Sequence, residues 1–159
     1  MSICLSLVTI SKKSIDNILD PKPDIILDIQ CGEWTEFLLY KSWHAIHFML
    51  TGRAYGGAPP LNFLFHGNGH APEPSRILIP QDVFEINNAI KEISTDDFMK
   101  KYDPKKLTEN DIYPNISGLW TWPENDPLRE KFIKIKFDEL KSALAFAASK
   151  TFGMVIIMY

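Results

Sequence analysis

The two ends of the chain carry its clearest strand patterns, and together they predict a fold built around a sheet that joins both ends. Residues 3–10 form a β-rich apolar run, and residues 154–159 form a second one. The second run has almost no alternation of polar and apolar residues, which is typical of a strand buried on both faces. We therefore expect this last strand to lie in the middle of the sheet.

The chain between these strands is mostly helical in pattern. Apolar spacing and capping residues predict helices over residues 12–19, 36–51, 81–92, 94–102 and 128–150, a brief strand over 76–79 and a helical turn over 103–110. The longest helix is expected to bury one stripe of apolar residues: Leu128, Phe132, Ile135, Leu140, Leu144 and Ala147. The predicted fold class is α/β. It is a single-domain, three-layer-like sandwich over residues 1–159, in which a small mixed sheet is covered by four or five helices.

Composition excludes several classes of protein. The chain has 159 residues, enough to fold on an apolar core without disulfides or a metal, and its net charge of −3 gives no basic footprint for nucleic acid. Two cysteines are too few for a disulfide framework, and no apolar run approaches the about 18 residues of a membrane span. Residues 3–10 lack a preceding positive charge and a cleavage site. These features predict a cytoplasmic protein without nucleic-acid or membrane partners, and they leave its oligomeric state open.

Two histidines on one predicted helix are the first candidate for chemistry. His44 and His47 are three residues apart, so they can face the same way, and His66 or His70 could supply a third metal ligand. Neither an HExxH motif nor a cysteine pair at ligand spacing supports this idea. A hydrogen-bonded core position for His47 and a pocket rim for His44 are the favoured interpretation, so no metal and no cofactor are predicted.

A second group of candidates surrounds the long loop over residues 53–75, which is rich in glycine and proline. Loops of this length in compact domains are often binding loops. Arg76 follows the loop and could bind an anion or pair with a neighbouring carboxylate. Tyr113 precedes a proline and could line a cleft or lock a turn. Thr51 most simply ends the helix that carries the histidines.

Trp120 and Trp122 form the third candidate site. They lie in an irregular segment, where an indole either folds back onto the core or meets a partner, and tryptophan is enriched at interface hot spots. No activated nucleophile accompanies them, because the chain has no GxSxG elbow and no local motif that links Cys31 to a histidine.

These residues resemble the YfbM-like family, small bacterial proteins that carry a domain of unknown function. The resemblance rests on the run from Trp43 to Gly52 (Trp-His-Ala-Ile-His-Phe-Met-Leu-Thr-Gly) and on Ile112-Tyr113-Pro114. It extends to Pro60-Leu61, Arg76-Ile77-Leu78, the Pro80-Gln81-Asp82-Val83 helix start, Ala147-Ala148 and Gly153. It implies one α/β sandwich domain and no assigned reaction. It also implies a shared cleft formed by Trp43, His44, His47, Thr51, Arg76 and Tyr113.

Two functions from different classes follow. The first is a non-catalytic protein-binding module, and its sharpest form is an immunity or antitoxin protein that neutralises a toxin by binding it. Small size, acidic balance, the absence of a catalytic constellation and the paired tryptophans favour it. The alternative is a small-molecule-binding protein or enzyme that uses the cleft of His44, His47, Arg76 and Tyr113. The first predicts a protein partner, and the second predicts a co-oriented polar cluster that faces a pocket.

Overall fold

A computed structural model describes residues 3–19, 34–65, 75–115, 119–121 and 127–159. The strands of this part are β1 (Leu5–Ile10), β2 (Thr35–Tyr40), β3 (Ser75–Leu78) and β4 (Gly153–Met158). Its helices are α1 (Lys12–Leu19), α2 (Trp43–Thr51), α3 (Pro80–Lys91), α4 (Thr95–Met99), α5 (Pro104–Glu109) and α6 (Pro127–Lys150). The described part thus holds more than the predicted four or five helices, because the predicted helical turn over residues 103–110 is the helix α5.

The strands form one sheet in the order β2-β1-β4-β3. β1 and β4 pair along their whole length, with Leu7 opposite Ile156, so the two ends of the chain meet at the centre of the sheet. The predicted central position of the last strand and the α/β class are confirmed. The predicted mixed sheet is wrong for the described strands, since all three pairings are antiparallel. The helices between β3 and β4 return the chain to the end of the sheet where β3 stops.

Side chains that alternate along the strands give the sheet two buried faces. Leu7, Leu78 and Ile156 point to one face, where they join the main core beneath α3 and α6. Ile10 and Ile77 point to the other face and pack against Ile15 of α1. The layers are therefore α1, the sheet, and the remaining helices, as the sandwich prediction requires.

The predicted helix over residues 36–51 is wrong in its first half. Residues 35–40 form β2, which pairs with β1 and places Phe37 opposite Leu7, and α2 begins only at Trp43. Apolar residues fill every position from 37 to 40, so helical spacing and strand alternation both fit this run. Pairing with β1 and burial of Leu39 decide in favour of the strand.

The long loop is confirmed where the structure describes it. Residues 52–65 form bends and turns, and residues 61–65 are turns rather than a strand, with Phe63 and Leu64 buried in the core. Residues 66–74, which include His66 and His70, lie outside the described residues. So do residues 24–29, for which the sequence predicts a short extended or connecting piece.

Candidate functional site

His44 lies at the start of α2 and is held through both ring nitrogens. Its Nδ1 is 2.9 Å from the backbone nitrogen of Tyr113, and its Nε2 is 2.8 Å from the carbonyl oxygen of Ala54. Its side chain is only 1% exposed. One imidazole therefore connects three parts of the chain that are distant in sequence: α2, the loop after it, and the turn before Pro114.

These two partners fix the tautomer of His44. A backbone N–H can only donate, so Nδ1 must carry the lone pair, and a carbonyl can only accept, so Nε2 must carry the hydrogen. Burial lowers the pKa of His44 below its usual value, because the charged ring loses its hydration. The hydrogen bond to Ala54 and the nearby Asp111 carboxylate act in the opposite direction but are weaker. The neutral ring is thus the form that the fold requires.

The fold should consequently lose stability in mild acid. Because the pKa of His44 is lower in the folded chain than in the unfolded chain, the unfolded chain binds more protons below about pH 6.5. The free energy of unfolding should be steady above this pH and should fall as the pH drops towards the folded pKa. Urea unfolding of the natural chain and of His44→Gln, at about pH 7.5 and about pH 5.5, measures this difference. Equal pH dependence in the two proteins would contradict the assignment.

The side chains next to His44 fasten the start of β1. The Nε1–H of Trp43 donates to the carbonyl oxygen of Ile3 at 3.3 Å, and the Ile3 N–H donates to the Tyr113 hydroxyl at 2.7 Å. The Trp43 ring stacks between those of His44 and Tyr113, with centroids 5.0 and 5.8 Å away. Trp43 and Tyr113 thus join α2 and the turn at Pro114 to the amino end of the sheet.

The other residues expected in the cleft have local structural contacts. His47 is fully buried, with its ring edge-on to Phe65 at 4.3 Å. The hydroxyl of Thr51 donates to the carbonyl oxygens of His47 and Arg53 and accepts from the Arg53 N–H, which closes the end of α2. Arg76 donates to the carbonyl oxygen of Leu64 at 2.6 Å, and its guanidinium lies 5.6 Å from the centre of the Phe65 ring.

The structure therefore brings most of the predicted site residues together, but as a packed cluster. Trp43, His44, His47 and Arg76 all surround Phe65, and Tyr113 closes one side, whereas Thr51 lies at the far end of α2. Hydrogen bonds to the backbone occupy both nitrogens of His44, and His47 has no exposed surface. The described residues here hold loops in place.

A groove lined in part by Ser42 and Pro114, the chain neighbours of Trp43 and Tyr113, has the form of a binding surface. It encloses about 470 Å³ between residues 41 and 42 after β2, the described residues Pro114, Leu119 and Trp120, and the first turns of α6. Trp120 forms its floor, with 6% of its side chain exposed and its Nε1–H donating to the carbonyl oxygen of Ile112 at 2.7 Å. Trp120 has thus folded back onto the core, and Trp122 lies outside the described residues.

The α6 wall of this groove is unusually apolar for a surface. Leu128 is 70% exposed and Phe132 is 40% exposed, and Ile135 continues the same stripe one turn further. Tyr40, also exposed, lies beside Phe132 with ring centroids 6.4 Å apart. The amino group of the buried Lys136 sits over both rings, at 4.9 and 5.6 Å. We call the described lining of this groove the groove surface: Lys41, Ser42, Pro114, Leu119, Trp120, Leu128, Arg129, Phe132 and Ile133. Tyr40 and Lys136 lie next to Phe132 of this surface.

Helical spacing predicts that Leu128, Phe132 and Ile135 lie in the core, and this prediction is wrong. The buried stripe of α6 consists of Ile133, Phe137, Leu140, Ala143, Leu144 and Ala147. Leu128, Phe132 and Ile135 have the same helical spacing but lie on a different face. The helix thus carries two apolar stripes, one buried and one exposed. The single stripe predicted from the sequence combined residues of both. Plotting every apolar residue of α6 by its angle would have revealed the second stripe.

Other binding chemistry has less support in the described residues. They contain no group of three or more histidine, cysteine, aspartate or glutamate side chains that could hold a metal ion. Within the same ranges, no helix combines the length and the apolar character that crossing a bilayer requires.

Comparison with known proteins agrees with this architecture. A structure of YfbM from Escherichia coli, a protein of unknown function, superimposes with a TM-score of 0.72 at 18% identity, covering 98% of this chain and 99% of that one. At this identity the match shows the shared fold alone. No curated protein matches the chain. The model of the domain of unknown function DUF1877 matches residues 1–157. The chain therefore belongs to the DUF1877 family.

Proposed function

We propose that this chain is a protein-binding module and that the groove surface is its binding site. The observation that supports this most is the exposed apolar wall of α6 above a recessed tryptophan. Exposed apolar residues that occur singly are ordinary, but a contiguous patch that borders a concave groove is typical of an interaction site. Leu128 and Phe132 provide the accessible apolar area, and Trp120 provides a rigid floor.

The geometry favours binding over catalysis. A candidate acid or base must reach its substrate, and His44 uses both ring nitrogens to hold Ala54 and Tyr113. The groove surface itself contains a single hydroxyl side chain, that of Ser42, whose Oγ donates to the carbonyl oxygen of Leu39 at 2.6 Å. A side chain that supports the end of β2 in this way is poorly suited to act as a nucleophile. The proposal accordingly needs no cofactor.

The immunity or antitoxin form of the proposal uses the same surface and adds that the partner is a toxin. It requires that the captured partner be harmful to the host and that binding at the groove suppress the harm.

The compartment we propose is the cytoplasm, which agrees with the free thiol of Cys4.

The proposal predicts that Phe132→Ala abolishes capture of the partner while the fold survives. Phe132 is the better position to change, because Trp120 is buried and its loss would disturb the core. Truncating an aromatic anchor at an interface costs about 2 kcal/mol or more of binding free energy, roughly a thirtyfold loss of affinity. The measurement is native mass spectrometry of each variant captured gently from the lysate of its own host.

Phe146→Ala is the matched control. Phe146 lies on the same helix, is 38% exposed and contacts one aromatic ring, that of Phe152 at 6.3 Å, but lies outside the groove. A specific partner should remain with the natural chain and with Phe146→Ala and should be lost from Phe132→Ala. Equal retention by both variants would rule out the groove surface as the site.

A further inference from the structure

We infer that the occupant of the groove surface is an acidic amphipathic helix of the partner protein. This inference rests on the proposed function and names the chemistry of the partner at that same site. Three features of the described residues carry it: the sign of the charges around the groove, the helical spacing of its apolar wall, and the recessed position of its tryptophan.

The charged side chains in the described lining of the groove are positive, although the chain as a whole carries −3. Lys41 and Arg129 are the charged side chains among the described lining residues. Lys131 is exposed and three residues after Leu128, so helical spacing brings it beside the same stripe. A local cationic rim on a weakly acidic protein attracts an acidic segment, which accelerates association and excludes basic competitors.

The wall favours a helical occupant. Leu128, Phe132 and Ile135 stand at positions i, i+4 and i+7 of α6, the spacing with which one helix receives the apolar side chains of another. The described lining comes from α6, from Pro114, Leu119 and Trp120, and from Lys41 and Ser42, which follow β2. Side chains of α6 therefore make up the apolar wall. A helix that packs on this wall satisfies its own backbone hydrogen bonds, so only its side chains need to meet the groove.

The recessed floor separates this surface from one that binds lipid. Cationic and apolar residues together can also bind an anionic membrane, but such surfaces project their apolar side chains towards the bilayer. Here Trp120 lies at the bottom of a groove and is 94% covered, since only 6% of it is exposed. A single apolar side chain of a partner helix suits such a recess better than the flat surface of a bilayer.

The test is a selection with a displayed library of helical peptides of about 16 residues, randomised at every surface position. The library is selected on the full natural chain and counter-selected on Phe132→Ala. We expect enriched peptides to carry apolar residues at i, i+3 or i+4, and i+7, with excess aspartate and glutamate between them. An enriched peptide should bind at least about tenfold more weakly to Lys41→Glu/Lys131→Glu, and its affinity should fall with salt.

Lys101→Glu/Lys150→Glu is the control for charge, because both lysines are exposed and lie outside the described lining of the groove. Basic or uncharged enriched peptides, or equal binding to the two charge-reversal variants, would overturn the acidic assignment. If no enriched peptide depends on Phe132 for binding, the helical assignment is overturned. Binding of the chain to phosphatidylglycerol vesicles, without binding to peptides, would also overturn it. Partner capture by Phe132→Ala tests the proposed function separately. Failure of the acidic or helical assignment can therefore be distinguished from failure of the proposed function.

Discussion

Replacing His44 with alanine is expected to lower the free energy of unfolding by about 3–5 kcal/mol. The change removes a ring that is almost fully buried and that stacks on Trp43 at 5.0 Å. It also leaves the Ala54 carbonyl and the Tyr113 N–H without their hydrogen-bond partner. Each orphaned buried group costs about 1–3 kcal/mol, and the lost ring adds a cavity.

Urea unfolding at about pH 7.5, where His44 is neutral, measures this loss without interference from titration. Tyr55→Ala is a suitable control, because Tyr55 contacts the same ring at 5.2 Å but is 67% exposed. It should cost no more than about 1 kcal/mol. A loss below about 1 kcal/mol for His44→Ala would show that the imidazole does not hold these loops.

Replacing Gly153 with alanine is the second change with a large expected effect, about 3 kcal/mol, which is the upper end of the usual cost of overpacking. Gly153 begins β4 at the centre of the sheet. An added Cβ would lie 1.8 Å from the Cδ1 of Ile15 and 2.5 Å from the carbonyl oxygen of Leu78. Ile15 can move, but the Leu78 carbonyl belongs to the neighbouring strand and cannot move without disturbing the sheet.

Two further variants separate the contributions at Gly153. Gly52→Ala meets no atom within 4 Å and strains only a positive φ of 72°, so it should cost about 1 kcal/mol. Gly153→Ala should cost less in an Ile15→Ala background than in the natural chain, but it should still be destabilising there, because the contact with the Leu78 carbonyl remains. Thermal unfolding gives these differences, and equal stability of the two glycine variants would contradict the close packing of α1 on the sheet.

Much of the fold could be predicted because its strongest patterns are local. The unbroken apolar run of residues 154–159 predicted a central strand, and Pro80 predicted the start of α3. The residues before α2 could not be assigned in the same way. The apolar run from residue 37 to residue 40 fits both helical spacing and strand alternation. Pairing with β1, more than 25 residues away, selects the strand. Strand direction was likewise undetermined by local pattern.

The candidate site was predictable in part. The aromatic and imidazole residues between Trp43 and His47 predicted a cleft shared with Tyr113 and Arg76. The structure places these residues together, but the sequence could not show that they form a packed cluster. That depends on the carbonyl of Ala54 and the N–H of Tyr113, which no side-chain pattern reveals. The groove was missed for a different reason: Phe132 and Phe137 are equally apolar, and only the packing of α6 decides which one faces solvent.

The most direct test of the account is calorimetric titration of the purified captured partner into three proteins: the natural chain, Phe132→Ala and Phe146→Ala. Because the two phenylalanines share a helix and nearly the same exposure, the comparison isolates their position. If the partner binds at the groove surface, Phe132→Ala should raise the dissociation constant at least about thirtyfold. Phe146→Ala should change it by no more than about twofold. An unchanged constant for Phe132→Ala would contradict binding at the groove surface.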